Sequence, residues 1–135
     1  MRKIKMFHGT TDTRIHKILL EGLKCKAEKD SNIWENGRQV KAVCLTRSKR
    51  LARLYANRKC NIQQTGCPLI ITLDVPQNRL LECKETLDEE IILKKDIYCT
   101  LSDLPRNYIR HISATKVMDN WNIINEAKRI QNGKY

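Results

Sequence analysis

The first 23 residues change from an alternating to a helical pattern of apolar positions. Residues 2–8, RKIKMFH, alternate basic and apolar side chains, which is the two-residue period of a half-buried strand. Residues 12–21 place isoleucine and leucine on one face of a helix. Thr11 or Asp12 can cap the beginning of this helix, and Gly22 suits its end. The pattern predicts a strand that leads directly into a helix.

Short apolar runs bounded by turn residues predict further strands. They are KAVCLT (41–46), CPLIITLDVP (67–76), NRLLEC (78–83), EEIILKKDIY (89–98) and ISATKVM (112–118). Residues 24–40 are polar and contain asparagine and glycine, so they predict a long loop around an exposed Trp34.

Two further segments have helical spacing and a capping residue in front of them. Ser48 can cap a helix whose apolar face holds Leu51, Ala52, Leu54 and Tyr55. Asp119 can cap a last helix over about residues 119–132, in which Trp121 is expected to be a core anchor. The element order β-α-β-α-β-β-β-β-α predicts an α+β fold with a split or mixed sheet and a few short flanking helices. Length and the lack of a linker predict a single domain over residues 1–135, which we expect to be a monomer.

Composition and charge indicate the cellular compartment and the chemical class of partner. No apolar run has the roughly 20 residues that cross a bilayer, and the start has no apolar stretch of signal-peptide length, so we expect a cytoplasmic protein with no membrane partner. Lysine and arginine total 26 against 15 acidic residues, a formal charge of +11, which weakly favours a polyanion or a phosphate-bearing cofactor. The six cysteines form no CxxC pair, so we expect free thiols and no metal site.

Candidate chemistry is concentrated at two places. His8, Gly9 and Thr10 bring a ring donor, an open backbone edge and a hydroxyl to the entrance of the first helix, where exposed N–H groups favour anions. The acidic residues Asp88, Glu89 and Glu90 stand directly before Ile-Ile-Leu. This cluster is either a charged turn before a strand or a source of a general base or cation-stabilising carboxylate.

Four blocks of the sequence resemble the ADP-ribosyltransferase superfamily. MFHGTTDTRIHKILLEGL is similar to its opening strand with a His-Gly-(Ser/Thr) motif, and AVCLTRSKRLARLYA to its second strand and helix. PLIITLDVPQNRLLEC resembles its third block, and EEIILKKDIY resembles the strand that opens with the catalytic glutamate. The blocks occur in the family's order and cover roughly residues 4–112.

The resemblance implies an α+β core of the ADP-ribosyltransferase type and NAD as substrate without a metal. His8 would bind a ribose hydroxyl of NAD, the Gly9 backbone would hold the nicotinamide carboxamide, and Thr10 would lie near the adenosine ribose. Further NAD-site residues would come from the second block: Cys44, Leu45, Thr46, Ala52 and Tyr55. Tyr55 matches the family tyrosine that stacks on nicotinamide, or else it is a core aromatic of its helix.

The resemblance leaves the catalytic acid open between two neighbours. Glu90 fits the pattern Glu-apolar-apolar-apolar of compact members, and Glu89 fits the Glu-x-apolar-apolar pattern of the polymerases; we favour Glu90. Cys44 stands where polymerase-like members often have tyrosine, and the gap before the glutamates is short. Both departures favour a minimal mono-ADP-ribosyltransferase over a polymerase.

The acceptor would be a macromolecule, either a host protein or a nucleic acid, because compact transferases of this kind include toxins and phage-encoded effectors. One alternative is an RNA 2′-phosphotransferase-like enzyme, although its arginine-histidine pattern is not found in order. The other is a non-catalytic basic module that binds nucleic acid or protein. The low aromatic content, with one Phe and two Trp, argues against a stacking platform for single strands.

Overall fold

The computed structural model describes residues 2–25, 33–35, 38–39, 41–82, 85–86 and 97–131. These residues contain three helices and nine strands. The helices are α1 (Asp12–Glu21), α2 (Lys49–Gln63) and α3 (Asn120–Gln131). The strands are β1 (Lys3–Thr11), β2 (Ile33–Glu35), β3 (Arg38–Gln39), β4 (Val43–Thr46), β5 (Pro68–Pro76), β6 (Leu81–Glu82), β7 (Glu85–Thr86), β8 (Ile97–Thr100) and β9 (Ile109–Ala114).

Local signals set the helix ends. The Ser48 side chain accepts a hydrogen bond from a backbone N–H in the first turn of α2, and Asp119 caps α3 in the same way. Gly22 ends α1 with φ +82°, and its N–H donates to the carbonyl of Ile18. Thr11 occupies the cap position of α1 but makes no capping hydrogen bond with its side chain. The predicted starts of the three helices and the predicted ends of α1 and α3 therefore agree with the observed ones to within a residue or two.

Six strands form the main sheet in the order β6-β8-β4-β1-β5-β9, and β3-β2-β7 form a second sheet of three. All pairs of described strands are antiparallel. The long ladder joins β1 to β5 through nine residue pairs, from Lys3 opposite Pro76 to Thr11 opposite Pro68. On the other edge of β1, the described register with β4 has a single pair, Phe7 opposite Thr46. The main sheet thus consists of two well-paired halves, β6-β8-β4 and β1-β5-β9, which are connected by the single pair of Phe7 and Thr46. We call this connection between β1 and β4 the joint.

Two apolar clusters cover opposite faces of this sheet. One lies under α2 and α3 and contains Leu51, Leu54, Ile97, Met118, Ile123 and Ala127. The other lies on the side of α1 and contains Met6, Ile18, Leu45, Ile71, Leu73 and Leu104. The alternation along each strand sends neighbouring side chains to opposite clusters, which is why both faces of the central strands are apolar.

The α+β prediction is confirmed, with an antiparallel sheet and not one of mixed direction. Three local predictions need correction. The expected loop at 24–40 contains β2 and β3, and the strand expected at 112–118 runs from Ile109 to Ala114. Trp121 is 72% exposed and is no core anchor. Within the described ranges, α1, α2 and α3 are all too short or too polar to cross a membrane.

Candidate functional site

His8 lies at the joint between the two halves of the sheet. Its neighbour Phe7 still pairs with Thr46 of β4. From His8 onward, the described connection between the two strands is a hydrogen bond of the histidine ring and not a further ladder pair. His8 Nδ1 donates a hydrogen bond of 2.8 Å to the carbonyl oxygen of Cys44. A carbonyl can only accept, so Nδ1 carries the proton and Nε2 is the ring's other hydrogen-bonding atom. The half-buried ring is therefore held in one orientation and one tautomer while neutral.

Gly9 faces helix α2 across a very short distance. A methyl group on Gly9 would lie 2.3 Å from the carbonyl oxygen of Ala52 and 2.7 Å from the backbone nitrogen of Ala56. The sequence motif suggested a glycine that allows the close approach of a ligand, whereas the described neighbour that requires it is the helix. The absence of a side chain lets α2 rest directly on β1.

Lys59, which the sequence motifs did not single out, reaches the same strand from α2. Its Nζ donates to the carbonyl oxygen of Gly9 at 2.6 Å. Lys59 lies four positions, or one helical turn, after the candidate Tyr55, so the two residues share a face of α2. This spacing is the sequence feature that could have indicated Lys59. The carbonyl of Gly9 is therefore already used by an ammonium group in this structure.

Tyr55 and Cys44 both lie on the side of the sheet that faces α2. Both are half-buried, and both pack against the core cluster beneath α2 and α3. Cys44 also accepts the His8 hydrogen bond through its carbonyl. The hydrogen bond from His8 to the Cys44 carbonyl thus connects the first and second sequence blocks, and Tyr55 packs as a half-buried core aromatic.

The other residues expected in the NAD site are buried. They are Thr10, Leu45, Thr46 and Ala52, with Gly9 beside them. The Thr46 hydroxyl accepts a hydrogen bond from the N–H of Ser48 at 3.0 Å, so it fixes the turn between β4 and α2. Leu45 packs in the cluster on the side of α1, whereas Cys44 and Tyr55 pack against the cluster under α2 and α3, so the structure places these expected NAD-site residues on opposite faces of the sheet.

The acidic candidates Asp88, Glu89 and Glu90 lie outside the described residues. The end of their segment is described, because Ile97 and Tyr98 lie in β8. That strand pairs directly with β4, with Tyr98 opposite Leu45 and Cys99 opposite Cys44. The chain that follows the glutamates therefore returns to the strand that His8 contacts.

Among the described cysteines, Cys25, Cys60 and Cys67 are free thiols. Burial raises the pKa of Cys25 and Cys60, and nearby carboxylates add to both shifts. Within the described ranges, His, Cys, Asp and Glu form no group of three that could hold a metal ion. Cys44 is the thiol that lies at the joint.

Comparison with known proteins adds no relative. A scan against protein-family models found no match, and a search of curated proteins found none either.

Proposed function

We propose that this protein is an NAD-dependent mono-ADP-ribosyltransferase that transfers ADP-ribose to a macromolecular acceptor. The observation that supports the proposal best is the position of His8. The histidine of the His-Gly-Thr motif stands where β1 and β4 separate, and it is bonded to the strand of the second block. An α+β core with a split or mixed sheet is what the resemblance to ADP-ribosyltransferases leads us to expect.

His8 would act as a positioning donor or acceptor for the ribose of NAD. Because the Cys44 carbonyl holds Nδ1, the ring can direct Nε2 toward a sugar hydroxyl without losing its orientation. Tyr55 and Cys44 would contact the nicotinamide side of the substrate. A carboxamide that donated to the carbonyl of Gly9 would share that oxygen with the ammonium group of Lys59.

In the reaction, the bond between the ribose C1′ and the nicotinamide nitrogen breaks and its electron pair leaves with nicotinamide. A nucleophile of the acceptor forms the new bond to C1′ and loses its proton. The sugar passes through an oxocarbenium-like state, which a carboxylate stabilises by its charge and by a hydrogen bond to the neighbouring hydroxyl. Glu90, with Glu89 as the alternative, is the acid that we assign to this role.

The experiment is nicotinamide release from NAD, together with transfer of a biotinylated ADP-ribose to a cell lysate with and without nuclease. We expect His8→Ala and Glu90→Gln to lower release by about 100-fold or more, since hydrogen bonds that strengthen in the transition state supply several kcal/mol. His16→Ala and His111→Ala are the matched controls, because both histidines are exposed elsewhere on the surface.

Each outcome has a distinct meaning. Nuclease-sensitive labelling would indicate a nucleic-acid acceptor, and nuclease-resistant labelling a protein. Absence of NAD turnover in every lysate would refute the proposal, and phosphate transfer from a 2′-phosphorylated RNA would replace it with the phosphotransferase alternative. Equal activity of His8→Ala and His16→Ala would remove His8 from the site.

A further inference from the structure

The outer face of α3 carries an exposed tryptophan. Ile123, Ala127 and Ile130 turn inward and pack in the cluster under α2 and α3, which leaves Trp121 on the opposite side with 72% of its surface exposed. An indole in water loses the stabilisation that burial of so large an apolar area would provide. A single exposed apolar side chain is common in proteins, so the neighbours of this indole decide whether the face can bind a partner.

The described α3 residues that share the face of this indole are basic or neutral, while the exposed Asp119 caps the start of the helix. Asn125 and Lys128 follow Trp121 at four and seven positions, the spacing of one helix face, and Arg129 borders them. The exposed Lys116 and Val117 precede the helix. The single acid within α3, Glu126, has a side chain only 13% exposed and is paired with Arg50 and Arg129. We call Trp121, Asn125, Lys128 and Arg129 the basic aromatic face.

We propose that the basic aromatic face binds single-stranded nucleic acid. An exposed indole provides a flat surface on which any base can stack, and lysine and arginine on the same face provide charge for the phosphates. Asn125 can hydrogen-bond a base edge or a sugar. An acidic peptide would satisfy the charges but would leave the indole without a planar partner. The low aromatic content of the chain matters little for this face, because one stacking side chain at a cationic surface is sufficient to anchor a base.

This inference depends on α3 and not on the proposed transferase activity. If both hold, the face would bring a nucleic-acid acceptor to the protein. The two can fail separately, since binding is measured without NAD and turnover is measured without an oligonucleotide.

The test is fluorescence anisotropy of the full chain with fluorescein-labelled single-stranded oligonucleotides of about 12 nucleotides, oligo(U) and oligo(dT), over a range of salt concentrations. We expect Trp121→Ala to weaken binding by about 5- to 100-fold and Trp121→Phe to restore most of it, because stacking per base has about this value. Lys128→Gln should weaken binding and reduce the salt slope by roughly 0.7.

Leu20→Ala is the matched control, because this side chain is 60% exposed on α1 and lies outside the face. Circular dichroism verifies that each variant is folded. Binding by folded Trp121→Ala equal to that of Leu20→Ala would overturn the proposal. Equally tight binding of polyglutamate, abolished by Trp121→Ala, would replace nucleic acid with an acidic protein and overturn it too.

Discussion

Replacement of Gly9 by alanine adds one methyl group where β1 and α2 are closest. The new carbon would lie 2.3 Å from the Ala52 carbonyl oxygen and 2.7 Å from the Ala56 nitrogen. Since carbon contacts are comfortable only near 3.5 Å, the helix would have to withdraw by about 1 Å. Both obstacles are backbone atoms, so no side-chain rotation can relieve the clash.

The energy follows from two opposed effects. Overpacking of a core costs about 1–3 kcal/mol, and a rigid backbone obstacle places this site at the upper end. Alanine also lowers the conformational entropy of the unfolded chain, which offsets about 0.4–1 kcal/mol of this cost. We therefore expect the free energy of unfolding to fall by about 2 kcal/mol, which corresponds to roughly 8 °C in Tm for a domain of this size.

Urea unfolding followed by circular dichroism measures this difference. Ala114→Val, at the exposed end of β9, is the control for added methyl groups and should stay within about 0.5 kcal/mol of the unchanged protein. If Gly9→Ala were as stable as that control but lost NAD turnover, the glycine would serve a ligand and not the helix, and the steric explanation would be wrong.

Three more predictions follow from buried or charged groups. Asn57→Leu should lower the free energy of unfolding by about 2–5 kcal/mol in urea titrations. The side chain of the fully buried Asn57 bonds two carbonyls and one N–H, and all three would lose this partner. A loss below about 1 kcal/mol would contradict this explanation. The N–H of Cys25 lowers the pKa of Asp103 below its ordinary 3.8, so this carboxylate stabilises the fold above that pH and the effect is lost as the pH falls. Asp103→Asn should therefore lose less stability than the unchanged protein as the pH falls from about 7 to below 3.8, and an equal loss would refute the role. Iodoacetamide at neutral pH should alkylate exposed Cys67 before buried Cys60, whose pKa is raised by burial, and peptide mass spectrometry reads the order.

The part of the site that lies within one segment was predictable. The motif at His8 and Gly9 marks a strand-to-helix junction, and both residues lie there in β1. The partners of these residues come from elsewhere in the chain. The bond from His8 to the Cys44 carbonyl spans 36 positions and that from Lys59 to Gly9 spans 50, so no local pattern could indicate them.

Trp121 shows the same limit in a helix. Its spacing with Ile124 and Ala127 fits an apolar face, but so does the spacing of Ile123, Ala127 and Ile130. Periodicity identifies a helix without deciding which of two overlapping faces is buried. The position of α2 makes that choice, and it leaves Trp121 in water.

By itself, the sequence determined the three helices and the ends marked by Ser48, Asp119 and Gly22, because helical spacing and caps act over a few residues. It also determined the α+β class and the motif that suggests NAD. The tertiary structure alone decided that β1 and β4 meet through one pair, that His8 connects them, and that Gly9 serves α2. These features depend on contacts between segments far apart in the chain, whose geometry is set by packing and not by local preference.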